Sequence, residues 1–383
     1  MRMPTGMVNL FRSQTKNEGL NSCFMMPHQI SRIRITGYKS IQSCDLALGK
    51  LNILIGPNGA GKSNFISFFR LLRHLFSHNL QFYVGKQGGP DALLHFGRSV
   101  SPNLGGQLFF EEHSYRFTLA PTADNKLIFS EEIISPFNGD QEVALGHAES
   151  IFPDQKGTQA NGSTSFMQQI KYWRVYHFHD TGENARLKQL GNLNDYRALR
   201  ADGSNLAAFL YFLKNKYPQH FHRILKTLQL VAPFFGNFLL EPNPYHPEKI
   251  ELEWLEQGND IPFKAHILSD GTLRFICLAT LLLQPEELQP ETILIDEPEL
   301  GLHPYAIQVL ASMLRSVSVK KQLIISTQST ELLNQVELEH VIIAERKNGL
   351  THFFRPDAKD FEEWMEEYSL GELWQKNLLG GRP

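Results

Sequence analysis

The chain has 383 residues, enough for one large domain or two ordinary ones, and its 42% hydrophobic and 20% charged residues are typical of a globular protein. Its net charge of −3 excludes a global basic field that would draw the whole protein onto nucleic acid, although a local basic face stays open. No apolar run is long enough for a membrane span, so we expect no membrane partner. The three cysteines are scattered and odd in number, as in free thiols of a cytoplasmic protein.

The chain opens with a segment that has no globular pattern. Residues 1–27 are rich in Asn, Ser and Met and lack the apolar stretch and the cleavage site of a signal peptide. We predict a disordered extension or, if translation starts at Met25 or Met26, upstream sequence. Apolar and polar residues then alternate over 30–35 and 41–48, which predicts two paired strands joined by a short turn.

The next stretch joins a short apolar strand, a glycine-rich loop and an apolar helical pattern. Gly56–Ser63 reads Gly-Pro-Asn-Gly-Ala-Gly-Lys-Ser and matches the G-x-x-x-x-G-K-[ST] phosphate loop in its expected strand–loop–helix context. We expect Lys62 to reach the β- and γ-phosphates of ATP, where it also serves catalysis, and Ser63 to ligate Mg²⁺. The predicted ATP contacts are Lys39 in the preceding turn and Asn58, Gly59, Ala60, Gly61, Lys62, Ser63 and Asn64. For Lys39, a solvated turn position is the equally weighted alternative.

The middle of the chain changes character three times. Three alternating runs between 107 and 135 predict an antiparallel meander. Residues 137–166 are rich in Gly, Ser, Asn and Gln without apolar periodicity, which predicts a mobile loop. Apolar residues at helical spacing then predict a helical lobe over 200–245, and a hairpin follows within 250–265.

The last third alternates buried strands with helices, which predicts an α/β core with a parallel sheet. Apolar strands are expected at 292–295, 322–326 and 341–344. Residues 346–383 are predicted to form a helical tail that carries Trp364, Tyr368 and Trp374. These aromatic residues make the tail a candidate partner-docking helix, and the alternative is that they close over the core.

Two of the buried strands end in polar residues that suit ATP hydrolysis. Asp296 is in the Walker B position, where it is expected to hold Mg²⁺. Glu297 points to the other side of the strand end and is the candidate general base for the attacking water. Ser326-Thr327-Gln328-Ser329 follows the next strand, and we expect Gln328 to sense the γ-phosphate or position water there.

A second candidate anion site precedes the helix that begins near residue 270. Ser269, Gly271 and Thr272 offer hydroxyl groups and backbone N–H groups at a helix N-terminus. One nucleotide has one γ-phosphate, so we predict that this loop binds the nucleotide of a second molecule in trans. The alternative is a simple serine N-cap.

In this order and spacing the motifs resemble those of ABC-type ATPases of the RecF/SMC branch. Within that branch the chain is similar to stand-alone predicted ATPases related to the ATPase half of OLD-family (overcoming lysogenization defect) nucleases. The resemblance covers about residues 28–345. It implies an α/β fold: a P-loop NTPase of the ABC-type ATPase head, with a mixed or parallel core sheet, an antiparallel β subdomain and an inserted helical subdomain.

The resemblance also implies a head-to-tail homodimer, or a higher oligomer, that closes around two ATP molecules. Each site would combine Lys62, Ser63, Asp296 and Glu297 of one chain with Ser269 and Gly271 of the other. His303 is placed where the family has a loop that reaches the partner site; the alternative is a loop residue fixed by Pro304.

The chain departs from the family pattern in three places. The signature reads Leu-Ser-Asp-Gly-Thr rather than Leu-Ser-Gly-Gly-Gln, and Gln328 replaces the usual histidine, which favours slow turnover. No glutamine follows an early strand in the usual place, so Gln168, Gln169 and His179 are the candidates for sensing metal and water. For His177 and His179 a structural role is favoured over a metal pair.

Two functions remain open from the sequence. The first is an ATP-driven switch subunit that regulates a separate effector, with a TOPRIM-type nuclease in anti-phage defence as the leading candidate. Such a nuclease domain does not fit in the residues after 345. The alternative is a RecF-like DNA-repair ATPase that binds DNA directly. A transporter subunit is disfavoured by the antiparallel meander.

Overall fold

The computed structural model describes residues 29–136, 142–151 and 170–381. The predicted N-terminal extension and most of the predicted loop over 137–166 therefore lie outside the described residues, as do Gln168 and Gln169. Within the described part of the chain, no helix is both long enough and apolar enough to cross a membrane.

The strands in chain order are Arg32–Tyr38 (β1), Ile41–Ala47 (β2), Leu51–Ile55 (β3), Leu104–Phe109 (β4), His113–Pro121 (β5), Leu127–Pro136 (β6), Glu142–Ala144 (β7), Val175–Tyr176 (β8), Gly191–Asn192 (β9), Phe235–Leu239 (β10), Pro242–Asn243 (β11), His246–Ile250 (β12), Glu253–Glu256 (β13), Pro262–Lys264 (β14), Thr292–Asp296 (β15), Gln322–Ser326 (β16), Val341–Lys347 (β17) and Leu350–Phe354 (β18). The α-helices are Lys62–Phe76 (α1), Leu80–Lys86 (α2), Leu206–Lys216 (α3), Pro218–Val231 (α4), Asp270–Leu283 (α5), Pro304–Ser318 (α6), Thr330–Leu333 (α7), Glu362–Glu367 (α8) and Leu370–Gln375 (α9).

The core sheet has the strand order β18-β17-β3-β16-β15-β8 and is parallel except for β18. Leu54, Ser326 and Asp296 lie side by side in register on β3, β16 and β15. The carboxyl ends of these strands therefore meet at one edge, which brings together the phosphate loop and the polar residues after β15 and β16. This is the edge at which parallel α/β sheets bind ligands.

A second sheet, β2-β1-β4-β5-β6-β7, is antiparallel throughout and contains the predicted meander. The apolar residues of helix α1 share one hydrophobic cluster with residues of both sheets, so α1 packs between them. Successive residues of β3 point to opposite faces. Leu54 joins that cluster, whereas Ile53 and Ile55 join the cluster formed with α3 to α6. The expected fold, an ABC-type head with a largely parallel core sheet, an antiparallel subdomain and an added helical lobe, is confirmed.

Two segments differ from the sequence expectation. The helical lobe ends at Val231, because β10 pairs with β13 and the Phe235 ring stacks on Trp254 at 5.1 Å. The segment after 345 begins with a hairpin rather than a helix. Asn348 and Gly349 both have positive φ, which is the backbone that joins tightly turned antiparallel strands.

Candidate functional site

The phosphate loop requires glycine at both of its ends. Gly56 has φ +147°, and a Cβ there would lie 2.2 Å from the Ala344 carbonyl oxygen. Gly61 has φ +108°, and a Cβ there would lie 2.3 Å from Thr351 Oγ1. Helix α1 begins at the next residue, so the loop carries the N-terminal N–H groups of a 15-residue helix. This backbone is suited to bind an anion.

Lys62 is buried within the same loop. Its ammonium donates hydrogen bonds to the carbonyl oxygens of Gly56 and, at 3.1 Å, Pro57. Burial lowers the pKa of the ammonium, while the nearby carboxylates of Glu297 and Asp296 act in the opposite direction. The lysine is therefore held between the phosphate loop and the acids that follow β15.

The other predicted nucleotide contacts differ in exposure. Asn58, Gly59 and Ser63 are exposed, whereas Ala60 and Gly61 are buried. The Asn64 amide donates to Ser40 Oγ at 2.7 Å and so ties α1 to the turn after β1.

Lys39 lies beside α1, not on the loop. Its Nζ donates to Ser67 Oγ at 3.2 Å, one helical turn beyond Ser63, and its pKa is lowered by burial and by the charge of Arg70. A role for Lys39 toward ATP requires that this side chain turn from Ser67 to the loop.

Two pairs of side chains are hydrogen-bonded at the ends of β15 and β16. Ser326 Oγ donates to the Asp296 carboxylate, and the Gln328 side-chain amide donates to the Glu297 carboxylate. Glu297 has φ +46°, a backbone conformation that costs energy for a residue with a side chain. Its N–H bonds the Ser326 carbonyl oxygen at 2.9 Å, which holds that conformation. The structure thus joins the candidate general base to the candidate switch residue.

Glu299 is a further acid at this site that the sequence analysis did not single out. Its Oε1 accepts a hydrogen bond from the Gln328 backbone N–H at 3.0 Å. Its Oε2 is buried and has no partner in the described structure, and burial raises the pKa of the carboxyl. The signal in the sequence was Asp-Glu-Pro-Glu, in which a second glutamate follows the strand end two residues after the first.

The edge strand β8 brings two histidines to the same end of the sheet. Tyr176 pairs with Ile295, so the residues after β8 lie beside Asp296. A ring nitrogen of His179 is 3.2 Å from the Asp296 carbonyl oxygen, and the His177 ring lies 5.9 Å from the His179 ring. Burial lowers the pKa of His177, and the charge of Arg70 adds to that effect. Of the three candidates for sensing metal and water, only His179 lies within the described residues, and its ring contacts the backbone of Asp296, the candidate Walker B residue.

In the signature loop Ser269 is exposed, Gly271 and Thr272 are half-buried, and the side chains of Ser269 and Thr272 bond within the chain. Ser269 caps α5: its Oγ accepts from the Thr272 N–H at 3.2 Å and lies 2.9 Å from Thr272 Oγ1. A Cβ at Gly271 would lie 2.3 Å from the Gly301 carbonyl oxygen, so close backbone contact also accounts for this glycine. His303 is exposed and caps α6 by accepting from the Tyr305 N–H at 3.3 Å. Ser269 thus forms the N-cap that was stated as its alternative, His303 is the N-cap of the helix that begins at Pro304, and contact of either residue with a second chain stays a prediction.

Residues 51–334, most of the chain, match a protein-family model described as "AAA domain, putative AbiEii toxin, Type IV TA system". Solved structures share the fold. One is an SmcHead bound to the C-winged helix domain of ScpA, with a TM-score of 0.55, 13% identity, and coverage of 86% of this chain and 99% of that one. Another is the Smc head domain with an extended coiled coil, bound to the C-terminal domain of ScpA, from Pyrococcus furiosus. Its TM-score is 0.50 at 12% identity, with coverage of 88% of this chain and 98% of that one. No curated protein matches.

Proposed function

This chain belongs to that AAA-domain family, and from this premise we propose that it is an ATP-binding and ATP-hydrolysing switch subunit of the ABC type. The observation that carries the proposal is the hydrogen bond between Gln328 and Glu297 beside the buried Lys62. A base held by an amide at the edge of a phosphate loop is suited to activate water.

The residues present fit a magnesium nucleotide. Ser63 and Asp296 supply the hydroxyl and carboxylate oxygens that Mg²⁺ prefers, and bound Mg²⁺ supplies charge neutralisation at the β- and γ-phosphates. Lys62 exchanges its bonds to the loop carbonyls for bonds to phosphate oxygens. Glu297 accepts a proton from the attacking water, and Gln328 orients the Glu297 carboxylate.

The second half of the proposal is an ATP-dependent dimer, in which each composite site is completed by Ser269, Gly271 and Thr272 of the partner. The exposure of Ser269 and His303 supports it, because their two loops lie against each other at Gly271 and Gly301. ATP binding closes the dimer and hydrolysis opens it, and this change regulates a separate effector. A TOPRIM-type nuclease in anti-phage defence is the effector suggested by the sequence resemblance.

The test is a Glu297→Gln variant, which keeps the hydrogen-bonding shape and removes the base. With ATP and Mg²⁺ we expect it to hydrolyse slowly and to double its mass in light scattering. The matched control is Glu331→Gln, at an exposed position of α7, which should behave as the wild type. A Glu297→Gln protein that binds ATP yet stays monomeric would remove the dimer switch.

A second function, direct DNA binding, is favoured by one observation. Helix α1 carries Arg70 and Arg73, each near a second cation: burial lowers the pKa of Lys39 and the charge of Arg70 adds to this effect, and burial lowers the pKa of Arg73 and the charge of Arg174 adds to it. Crowded cations of this kind suit a phosphate backbone. The test is fluorescence anisotropy with a DNA duplex over a salt series. ATP-dependent binding that weakens with salt and is lost in Arg70→Gln/Arg73→Gln would support DNA binding.

A further inference from the structure

Arg274, in the second turn of α5, joins three parts of the site with one guanidinium group. Its Nε donates to the Phe178 carbonyl oxygen at 3.2 Å, and its Nη2 donates to the His179 carbonyl oxygen at 3.1 Å and to Thr181 Oγ1 at 3.3 Å. Its Nη1 donates to the Leu300 carbonyl oxygen at 3.0 Å. Because the guanidinium is planar with donors in fixed directions, it holds these acceptors in one arrangement.

The contact with the 300–303 loop is reinforced by two glycines. A Cβ at Gly301 would lie 2.6 Å from Arg274 Nη1, and a Cβ at Gly271 would lie 2.3 Å from the Gly301 carbonyl oxygen. The signature loop and the 300–303 loop therefore touch backbone to backbone, so neither can shift without displacing the other.

Two of the four contacts of Arg274, those with His179 and Leu300, lead to the acids. The His179 ring is bonded to the Asp296 carbonyl oxygen at 3.2 Å. The Leu300 N–H bonds the Glu297 carbonyl oxygen at 3.3 Å, in the turn that follows β15. One side of Arg274 thus reaches the Walker B aspartate, and the other reaches the candidate general base.

We propose that Arg274 is a positioning residue that couples the signature loop of a chain to Asp296 and Glu297 of the same chain. The inference rests on the proposed function. In a head-to-tail dimer each signature loop serves the partner's nucleotide, while the acids serve the chain's own nucleotide. Arg274 therefore connects the two composite sites, and the filling of one site aligns the acids of the other. Hydrolysis should accordingly be cooperative in ATP.

The experiment compares steady-state ATP hydrolysis of the wild type and Arg274→Lys over a range of ATP concentrations. Lysine keeps the charge and loses the planar fork. For the wild type we expect a Hill coefficient above about 1, and for Arg274→Lys a value of about 1. We also expect kcat to fall by about tenfold, as for other orienting residues. Affinity for a fluorescent ATP analogue should change by less than about twofold, because Lys62 and the loop are untouched.

The matched control is Arg355→Lys. Arg355 also donates to backbone carbonyl oxygens, those of Glu339 at 2.8 Å and Ala47 at 3.2 Å, but at the amino end of the core sheet. The Arg355→Lys variant should lose thermal stability as Arg274→Lys does, yet keep the cooperativity and kcat of the wild type. Thr181→Val, which removes a single acceptor of the guanidinium, should change both quantities in the same direction as Arg274→Lys by a smaller factor.

Two results would overturn the coupling. One is a wild-type Hill coefficient of about 1 in a protein whose Glu297→Gln form still dimerises with ATP. The other is equal cooperativity and kcat in Arg274→Lys and Arg355→Lys. If Glu297→Gln does not dimerise at all, it is the proposed function that fails. If Arg274→Lys does not fold, Thr181→Val alone is the test. A Hill coefficient and a kcat equal to those of the wild type would then refute the coupling.

Discussion

The side-chain amide of Gln328 donates a hydrogen bond to the carboxylate of Glu297, across the ends of two neighbouring strands of the core sheet. Glutamine stands where the family resemblance leads one to expect histidine. An amide orients the carboxylate without adding a titrating group. The candidate switch residue therefore contacts the candidate general base through a group that does not titrate.

Removing this amide should slow hydrolysis and leave nucleotide binding intact. For Gln328→Ala we expect kcat to fall by about a hundredfold, since a misdirected base loses much of its effect. Gln328→His should recover part of the rate and make it depend on pH between about 5 and 8, where imidazole titrates. Gln257→Ala, at an exposed turn residue, is the control. Unchanged kcat in Gln328→Ala would mean that the contact has no catalytic role.

Glu299 should destabilise the fold at neutral pH. Its carboxyl pKa is raised by burial above the ordinary value of 4.5, so the unfolded chain loses this proton at lower pH than the folded one. The free-energy cost of ionising the buried carboxyl is absent below pH 4.5, and it grows as the pH rises toward the pKa of Glu299 in the folded protein. Glu299→Gln keeps the acceptor for Gln328 and avoids the buried charge.

The expected result for Glu299→Gln is a higher free energy of unfolding than the wild type at pH 8, with the difference vanishing near pH 4. Urea melts over a pH series measure it. Glu331→Gln is again the exposed control. A difference between Glu299→Gln and the wild type that is constant across pH would contradict the burial argument.

Two of the three glycines of the phosphate loop, Gly59 and Gly61, should respond differently to alanine. At Gly61 a Cβ meets Thr351 Oγ1 at 2.3 Å, whereas at Gly59 it meets nothing within 4 Å; both have positive φ. Gly59→Ala therefore incurs backbone strain alone, about 1–2 kcal/mol. Gly61→Ala adds a steric clash and should lose more stability. Gly61→Ala/Thr351→Ala should recover part of the difference in urea melts, since the Thr351 Cβ remains 3.0 Å away. Equal losses in the two single variants would show that the clash is absorbed elsewhere.

The tail aromatics should separate into a core residue and a surface residue. Trp374 is fully buried and its indole donates to the Gly381 carbonyl oxygen, while the Trp364 side chain is 46% exposed. Trp374→Ala should lose about 3–5 kcal/mol of stability. Trp364→Ala should change stability by less than about 0.5 kcal/mol. Thermal melts measure both. A partner lost by the folded Trp364→Ala would support docking through α8.

The tail also supports the phosphate loop. The Gly381 N–H donates to Glu345 Oε1 at 2.7 Å, and a Cβ added at Gly381 would lie 3.6 Å from Gly56 Cα. This contact places the end of the tail against the start of the phosphate loop, at Gly56. Trp374→Ala should therefore also weaken the apparent binding of a fluorescent ATP analogue. The loss should match the fraction of the protein that the lost stability leaves unfolded, because only folded protein binds ATP.

The sequence by itself determined the parts whose chemistry is local. The phosphate loop of 56–63 and the acids after β15 are recognisable because their glycines, lysine and carboxylates follow one another along the chain. The parallel order of strands was also predictable, since buried strands alternate with helices. Even the hairpin at 346–354, which the expectation of a helical tail missed, carried an Asn-Gly signal.

Only the tertiary structure decided which distant groups meet. Arg274 reaches Phe178 and Leu300, and Glu299 meets the backbone of Gln328, because the carboxyl ends of β8, β15 and β16 converge at one edge of the sheet. The sequence alone did not assign these contacts, although Glu299 lies in the Asp-Glu-Pro-Glu run. Their partners are set by strand order and register, which follow from burial of the two sheet faces and not from spacing along the chain.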